Sequence, residues 1–390
     1  MNLKTAWLKT YLRYPVDIRR AHDYLARTDH DSGSGAVARS IVVEMHTPQL
    51  LFDCGRHLNC LAEHASAAGS PFVLCCSKLL LAAVARKLYG PELLSSPNVH
   101  WIERFQDSPD GALVLTDSPE RTRATRSIAM MIGRDTHAGS TVMPYPMHHR
   151  TLQQLPVTDL RQLQSRGRCE GRGGLFFAGR LKDNYKESKI ESRFGVVNRL
   201  NVIATLRHQF ADRIHSRPAA SGATGHLSEH GGPTSVTLVD SRRVAIDAAE
   251  WLSTLARYDF FVCCPGVCQP MCHNVIEAMS VGTIPLIEYG DRFSPQLTDS
   301  VNAVMFRGTD GLAAAVRRID LMTPGEISGL RRRVAEYYER HLRGDQFLAA
   351  LRDSPAGQRP EILSMPFHDR NFFRHDVDAK SNTKNPAAAA

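Results

Sequence analysis

The chain has 390 residues, 43 % of them apolar and 23 % charged, which is too long for one ordinary core and too apolar for a largely disordered chain. Its 48 basic and 40 acidic residues leave a formal charge of +8, a mild excess that suits an anionic partner without specifying one. It lacks both an apolar run of about 18 residues and a charged-then-apolar leader, so neither a membrane span nor a secretory signal is predicted and a cytoplasmic location is expected.

The opening segment mixes Trp7, Tyr11 and Tyr14 with Lys4, Lys9 and Arg13 at near-helical spacing. Two readings follow: a peripheral contact with the inner face of a membrane, or a terminal helix packed on its own domain. Residues 40–46, 71–76, 99–102, 112–115 and 127–132 are short β-prone apolar runs, and 50–68 and 77–89 carry apolar residues at helical spacing between them. This alternation predicts an open, largely parallel sheet with covering helices. Cys75 and Cys76, like Cys263 and Cys264 later, sit inside such runs and read as small hydrophobes of a reducing compartment.

Pro144 and Pro146 force an extended backbone that marks the end of a first domain, 1–148. A linker is expected over 149–173 and a second domain over 174–345. Its strands are predicted at 174–178, 235–239, 260–264 and 283–287, with helices at 197–210, 245–257, 273–281, 312–320 and 324–342. Residues 217–233, rich in Ser, Gly, Ala and His, read as a surface insert. Residues 346–375 are expected to pack back on the first domain, and 376–390 to be a disordered tail.

No Gly-x-Gly-x-x-Gly is present, so a dehydrogenase-type nucleotide site has no support. The basic residues are spread out, the densest group being Arg161, Arg166, Arg168 and Arg172, and no nucleic-acid partner is expected. Cys264, Cys268 and Cys272 recur at four-residue spacing beside His273, but Pro265 and Pro270 interrupt any helix that would align them, and no metal site is expected.

The most telling stretch runs from Tyr258 to Phe306: an apolar strand, Cys264-Pro265-Gly266, a loop, a short helix from His273, then Gly282-Thr283-Ile284-Pro285-Leu286-Ile287. In a strand–loop–helix–strand unit the loop and the helix start offer N–H groups where phosphates bind. This stretch resembles the donor-binding segment of GT-B glycosyltransferases, most closely the exostosin-like branch. Phe176-Phe177-Ala178-Gly179-Arg180 is similar to the opening of that family's second domain. The chain departs from the pattern in two places. Gly266 follows Pro265 directly, without the usual basic residue, and Gln269 stands where the related bacterial glycosyltransferases carry the first acid of Glu-x7-Glu, Glu277 being the second.

The resemblance implies two Rossmann-like domains with a cleft between them and transfer of a sugar from a nucleoside diphosphate sugar to a glycan or glycolipid acceptor in surface polysaccharide assembly. The nucleotide sugar is then a substrate, and neither a cofactor nor a metal is implied. Gly179, Arg180, Lys182, Lys186, Pro265, Gly266, His273 and Asn274 would surround the donor diphosphate, a glycine for close approach and cations for charge. Glu277 would hold the ribose. A base for the acceptor is sought in the first domain, at His46, then Asp53 and His64. A sugar-nucleotide epimerase and a catalytically inactive sugar-binding or scaffold protein remain as alternatives.

Overall fold

The computed structural model describes residues 3–27, 39–51, 53–105, 111–132, 140–166, 172–185, 190–215, 234–267 and 269–365. Two compact units divide the chain, one formed by Met1–Leu152 with Arg343–Ala390 and the other by Gln153–Leu342. The 217–233 insert, Lys186 and the 376–390 tail lie outside the described residues.

In the first unit α1 (Leu3–Leu25) precedes β1 (Ile41–Met45), α2 (Arg56–Ala67), β2 (Phe72–Cys76), α3 (Lys78–Ala85), β3 (Val99–Ile102), β4 (Leu113–Thr116), β5 (Ile128–Ile132) and β6 (Thr141–Val142). All strands pair in parallel, in the order β3-β2-β1-β4-β5, then the strand Ile362–Met365, then β6. A parallel sheet needs cover on both faces, and β1 supplies it by alternation. Ile41, Val43 and Met45 enter the larger core with Leu58, Leu61, Leu81 and Val84, while Val42 joins Val73, Cys75 and Val114 on the other face.

Helix α2 starts later than its apolar pattern predicts. Asp53, Cys54 and Gly55 have φ of 50°, 60° and 82°, left-handed values that no α-helix accommodates, so Leu50 and Leu51 reach the core from a separate short turn. The apolar spacing continues across a backbone break that it does not register. At α3 the sequence signal and the structure agree, because the Ser77 hydroxyl accepts from Leu80 N and fixes the start.

The second unit contains β7 (Leu175–Gly179), α4 (Arg199–Gln209), β8 (Ile214–His215), β9 (Val236–Asp240), α5 (Ala248–Leu255), β10 (Phe260–Cys263), α6 (His273–Ser280), β11 (Ile284–Ile287), β12 (Val304–Met305), α7 (Gly308–Asp320) and α8 (Pro324–Tyr337). Its sheet is also parallel throughout, ordered β12-β11-β10-β7-β9-β8. Side-chain caps start the helices where the spacing predicts them: Asn198 for α4, Asp247 for α5, and a Thr323–Glu326 capping box for α8. Both sheets are Rossmann-like. The stretch 149–173, expected to be a linker, carries the short helices His149–Leu152 and Leu160–Ser165.

Arg172, at the end of the stretch expected to be a linker, is buried: its side chain lies 3.8 Å from the equally buried Asp259 and donates to the carbonyls of Leu163 and Val281 and the hydroxyl of Thr283. A guanidinium taken out of water needs such a set of acceptors.

Candidate functional site

In the second sheet β7 and β10 are neighbours, yet the chain leaves β7 toward β9 and β8 and leaves β10 toward β11 and β12. The order therefore reverses between them. At such a switch point the loops at the carboxyl ends diverge, and the crevice outside those ends is the ligand position of open α/β sheets. The turns that meet there are Gly179-Arg180 after β7 and Cys264-Pro265-Gly266 after β10.

Arg199, which lies outside the sequence motifs, ties these turns together. It is 5 % exposed, and its fork donates through Nη1 to the Arg180 carbonyl at 3.3 Å and the Tyr185 hydroxyl at 2.6 Å, and through Nη2 to the Pro265 carbonyl at 3.1 Å. Its guanidinium also lies 4.1 Å from the Tyr185 ring centroid. The planar fork is what lets one side chain reach separate acceptors. A sequence signal did exist, an arginine directly after the Asn198 cap of the first crossover helix.

The two glycines are there for clearance. A Cβ on Gly179 would lie 3.0 Å from Phe177 Cζ and 3.4 Å from Arg199 Nη1, and one on Gly266 would lie 2.8 Å from the Gln269 carbonyl oxygen. Arg180 and Lys182 are exposed beside the first turn. The Pro265 carbonyl faces Arg199, and Asn274 Nδ2 donates to the Ala178 carbonyl at 3.2 Å. Asn274 thus seats the amino end of α6 against the end of β7, where the helix presents its first N–H groups.

Glu277 sits differently from the expectation of a ribose ligand. It is fully buried; Oε2 accepts from Trp251 Nε1 at 2.6 Å, and both oxygens lie 3.1 Å from His273 Nδ1. Its carboxylate holds the His273 ring, which is 33 % exposed. Gln269 is 4 % exposed, and its Oε1 has no hydrogen-bond partner among the described residues. Burial pushes the neighbouring Cys264 thiol up to about 12, so it behaves as an inert hydrophobe.

In the first unit, β1 and β4 flank the corresponding reversal of order. Asp117, just after β4, accepts from His46 N at 2.8 Å and from Thr47 N and Oγ1 at 2.9 and 2.6 Å. His46 Nε2 lies 3.4 Å from Oε1 of the buried Glu44. The two groups lie close without a hydrogen bond at His46 Nε2 among the described residues, and no sequence motif marks Glu44 as the neighbour of His46. Asp53 is engaged instead by Arg56, at 2.6 Å, on the left-handed turn before α2. His64 is a packed core group. Desolvation holds its pKa down to about 4, beside Asp345 and Arg343.

Among the described residues, a pocket of about 680 Å³ bordered by Leu181, Arg207, Asp240 and Arg242 opens beside the ends of β7 and β9. Another, of about 770 Å³, is bordered by Gln164, Arg331 and Glu339. Gln164 donates to the Ser280 carbonyl at the far end of α6, which places this pocket away from the switch point. No group of three or more His, Cys, Asp or Glu is arranged to hold a metal ion among the described residues.

No family model and no curated protein matches the chain. Solved structures to which it is similar include an alpha,alpha-trehalose 6-phosphate synthase from Burkholderia multivorans, at 10 % identity over 97 % of this chain and 78 % of that one, with a TM-score of 0.34. An apo structure of OtsA is similar at 11 % identity over 91 % and 79 %, TM-score 0.36. AviGT4, a glycosyltransferase involved in avilamycin A biosynthesis, is similar at 14 % identity over 80 % and 98 %, TM-score 0.33.

Proposed function

We propose that the chain is a glycosyltransferase whose second unit binds a nucleoside diphosphate sugar at the β7–β10 switch point and whose acceptor is a glycan or glycolipid of a surface polysaccharide. The observation that carries the reading is the Arg199 fork on the Arg180 and Pro265 carbonyls. It fixes two glycine-bearing turns on adjacent strands, next to the amino end of α6, in the arrangement that a diphosphate requires. The resemblance of residues 258–306 to a donor-binding segment points the same way.

Breaking the anomeric C–O bond leaves charge on the departing diphosphate. Arg180 and Lys182 supply positive charge there, and the first N–H groups of α6 supply fixed dipoles. Arg199 and Asn274 act as positioning residues, since their donors are used on backbone carbonyls. Glu277 is assigned the same kind of role, holding His273 at the helix start, in place of a direct contact with ribose. In an inverting reaction His46 takes the proton of the acceptor hydroxyl, and Glu44 stabilises the resulting imidazolium.

A thermal-shift panel of UDP, GDP, ADP and CMP sugars tests the proposal. One nucleotide class should raise Tm, and Arg180→Ala should abolish that shift while leaving the ligand-free Tm unchanged. Turnover that proceeds without any acceptor would favour an epimerase. The neutral Gln269 in an acid's place favours a second reading, a sugar-nucleotide-binding protein without transfer, for which nucleotide stabilisation persists with no turnover on any acceptor.

A further inference from the structure

Helix α1 carries a surface that the proposed chemistry leaves unused. Leu8, Tyr11, Leu12 and Val16 are 60, 62, 74 and 53 % exposed, and their spacing of three, one and four residues puts them on one face. The second half of the helix anchors it to the unit: Ala21 is fully buried in the core, Ile18 packs against that core, and the buried Asp17 lies 3.6 Å from Arg13, 4.0 Å from Arg20 and 3.9 Å from Arg86. Leu8, Tyr11, Leu12 and Val16 therefore form an exposed apolar stripe on this anchored helix. Four large apolar side chains within nine residues exceed the scattered exposure of an ordinary surface.

Charge decides what covers the stripe. Exposed Arg13, Arg19 and Arg20 border or continue it, and the buried Asp17 already lies among three arginines. A second copy docked face to face would bring these cations against their own equivalents. An anionic lipid surface complements both parts, since acyl chains accept the leucines while the headgroups meet the arginines. No described helix is long and apolar enough to cross a membrane, and the contact drawn here is one that lies in the interface. We propose that α1 docks this protein on an anionic phospholipid surface through Leu8, Tyr11, Leu12 and Val16.

Flotation of the full chain with vesicles tests it. Vesicles of phosphatidylcholine with about one-third phosphatidylglycerol should bind at least about tenfold more protein than phosphatidylcholine alone, and added salt should weaken that binding. Leu8→Glu with Leu12→Glu should lower the bound fraction by at least about tenfold at unchanged Tm, and Arg19→Glu should lower it by a few-fold. The milder Leu12→Ala should show the same direction if the double variant folds poorly. Equal binding to both vesicle types, or binding unaffected by all three changes, would overturn the proposal. So would a dimer in sedimentation equilibrium that the double variant disperses, with no protein on the anionic vesicles.

Discussion

The indole Nε1 of Trp251 donates to Oε2 of Glu277 at 2.6 Å, joining α5 to α6 beneath the amino end of the helix that faces the switch point. The bond fixes a carboxylate that would otherwise be costly to bury, and that carboxylate in turn holds His273. Trp251→Phe keeps most of the ring's packing against Phe176 and Phe261 and removes the donor. The expected loss is about 1–3 kcal/mol of stability, read from urea unfolding at constant m-value. An unchanged midpoint would show that the indole contributes nothing to holding Glu277.

Arg199→Lys preserves the charge but cannot reach the Arg180 and Pro265 carbonyls together. Nucleotide affinity should fall by about tenfold or more, because the turns lose their common anchor. Gly266→Ala should act in the same direction by forcing a Cβ to within 2.8 Å of the Gln269 carbonyl oxygen. Calorimetric titration of both variants checks this. Wild-type affinity in each would remove the turns from the donor site.

His46→Ala should lower kcat by roughly two to four orders of magnitude while donor affinity stays at the wild-type value, as a base acting on the acceptor requires. Glu44→Gln, which keeps the shape of the partner 3.4 Å away, should give a smaller loss of kcat, again at wild-type donor affinity. Unchanged kcat in both variants would assign His46 to structure alone.

His64 makes stability depend on pH. Burial lowers its folded pKa from 6.5 to about 4, so between those values the unfolded chain binds more protons than the native one. The contribution is full above about pH 6.5 and is lost progressively as pH falls toward 4, up to roughly 3 kcal/mol in all. His64→Leu should flatten that part of the stability curve, as measured by denaturant unfolding at pH 7 and pH 5. A slope that survives the substitution would place the protonation elsewhere.

Strand patterning made most of the fold legible, since a buried parallel strand such as β10 announces itself by a short apolar run closed by Pro265-Gly266. The left-handed turn before α2 was not legible, because Asp53 and Cys54 are not glycine and no local pattern marks their φ. The two-residue strands β6, β8 and β12 offer too few positions for a period. At the site the glycine turns could be read; Arg199 offered only its place after the Asn198 cap and Glu44 offered no local signal, because their importance comes from the backbone and side chains that the fold brings to them. Glu277 was found by its motif, yet the carboxylate faces Trp251 and His273, a direction set by packing between α5 and α6.

The most direct measurement of the central claim is calorimetric titration of UDP, ADP and GDP into the full chain and into Arg180→Ala. A donor diphosphate seated at the β7–β10 switch point predicts that one of the three binds the wild-type chain and that the variant loses at least about tenfold in affinity. Undiminished affinity in the variant, or no binding of any of the three by the wild-type chain, would contradict it.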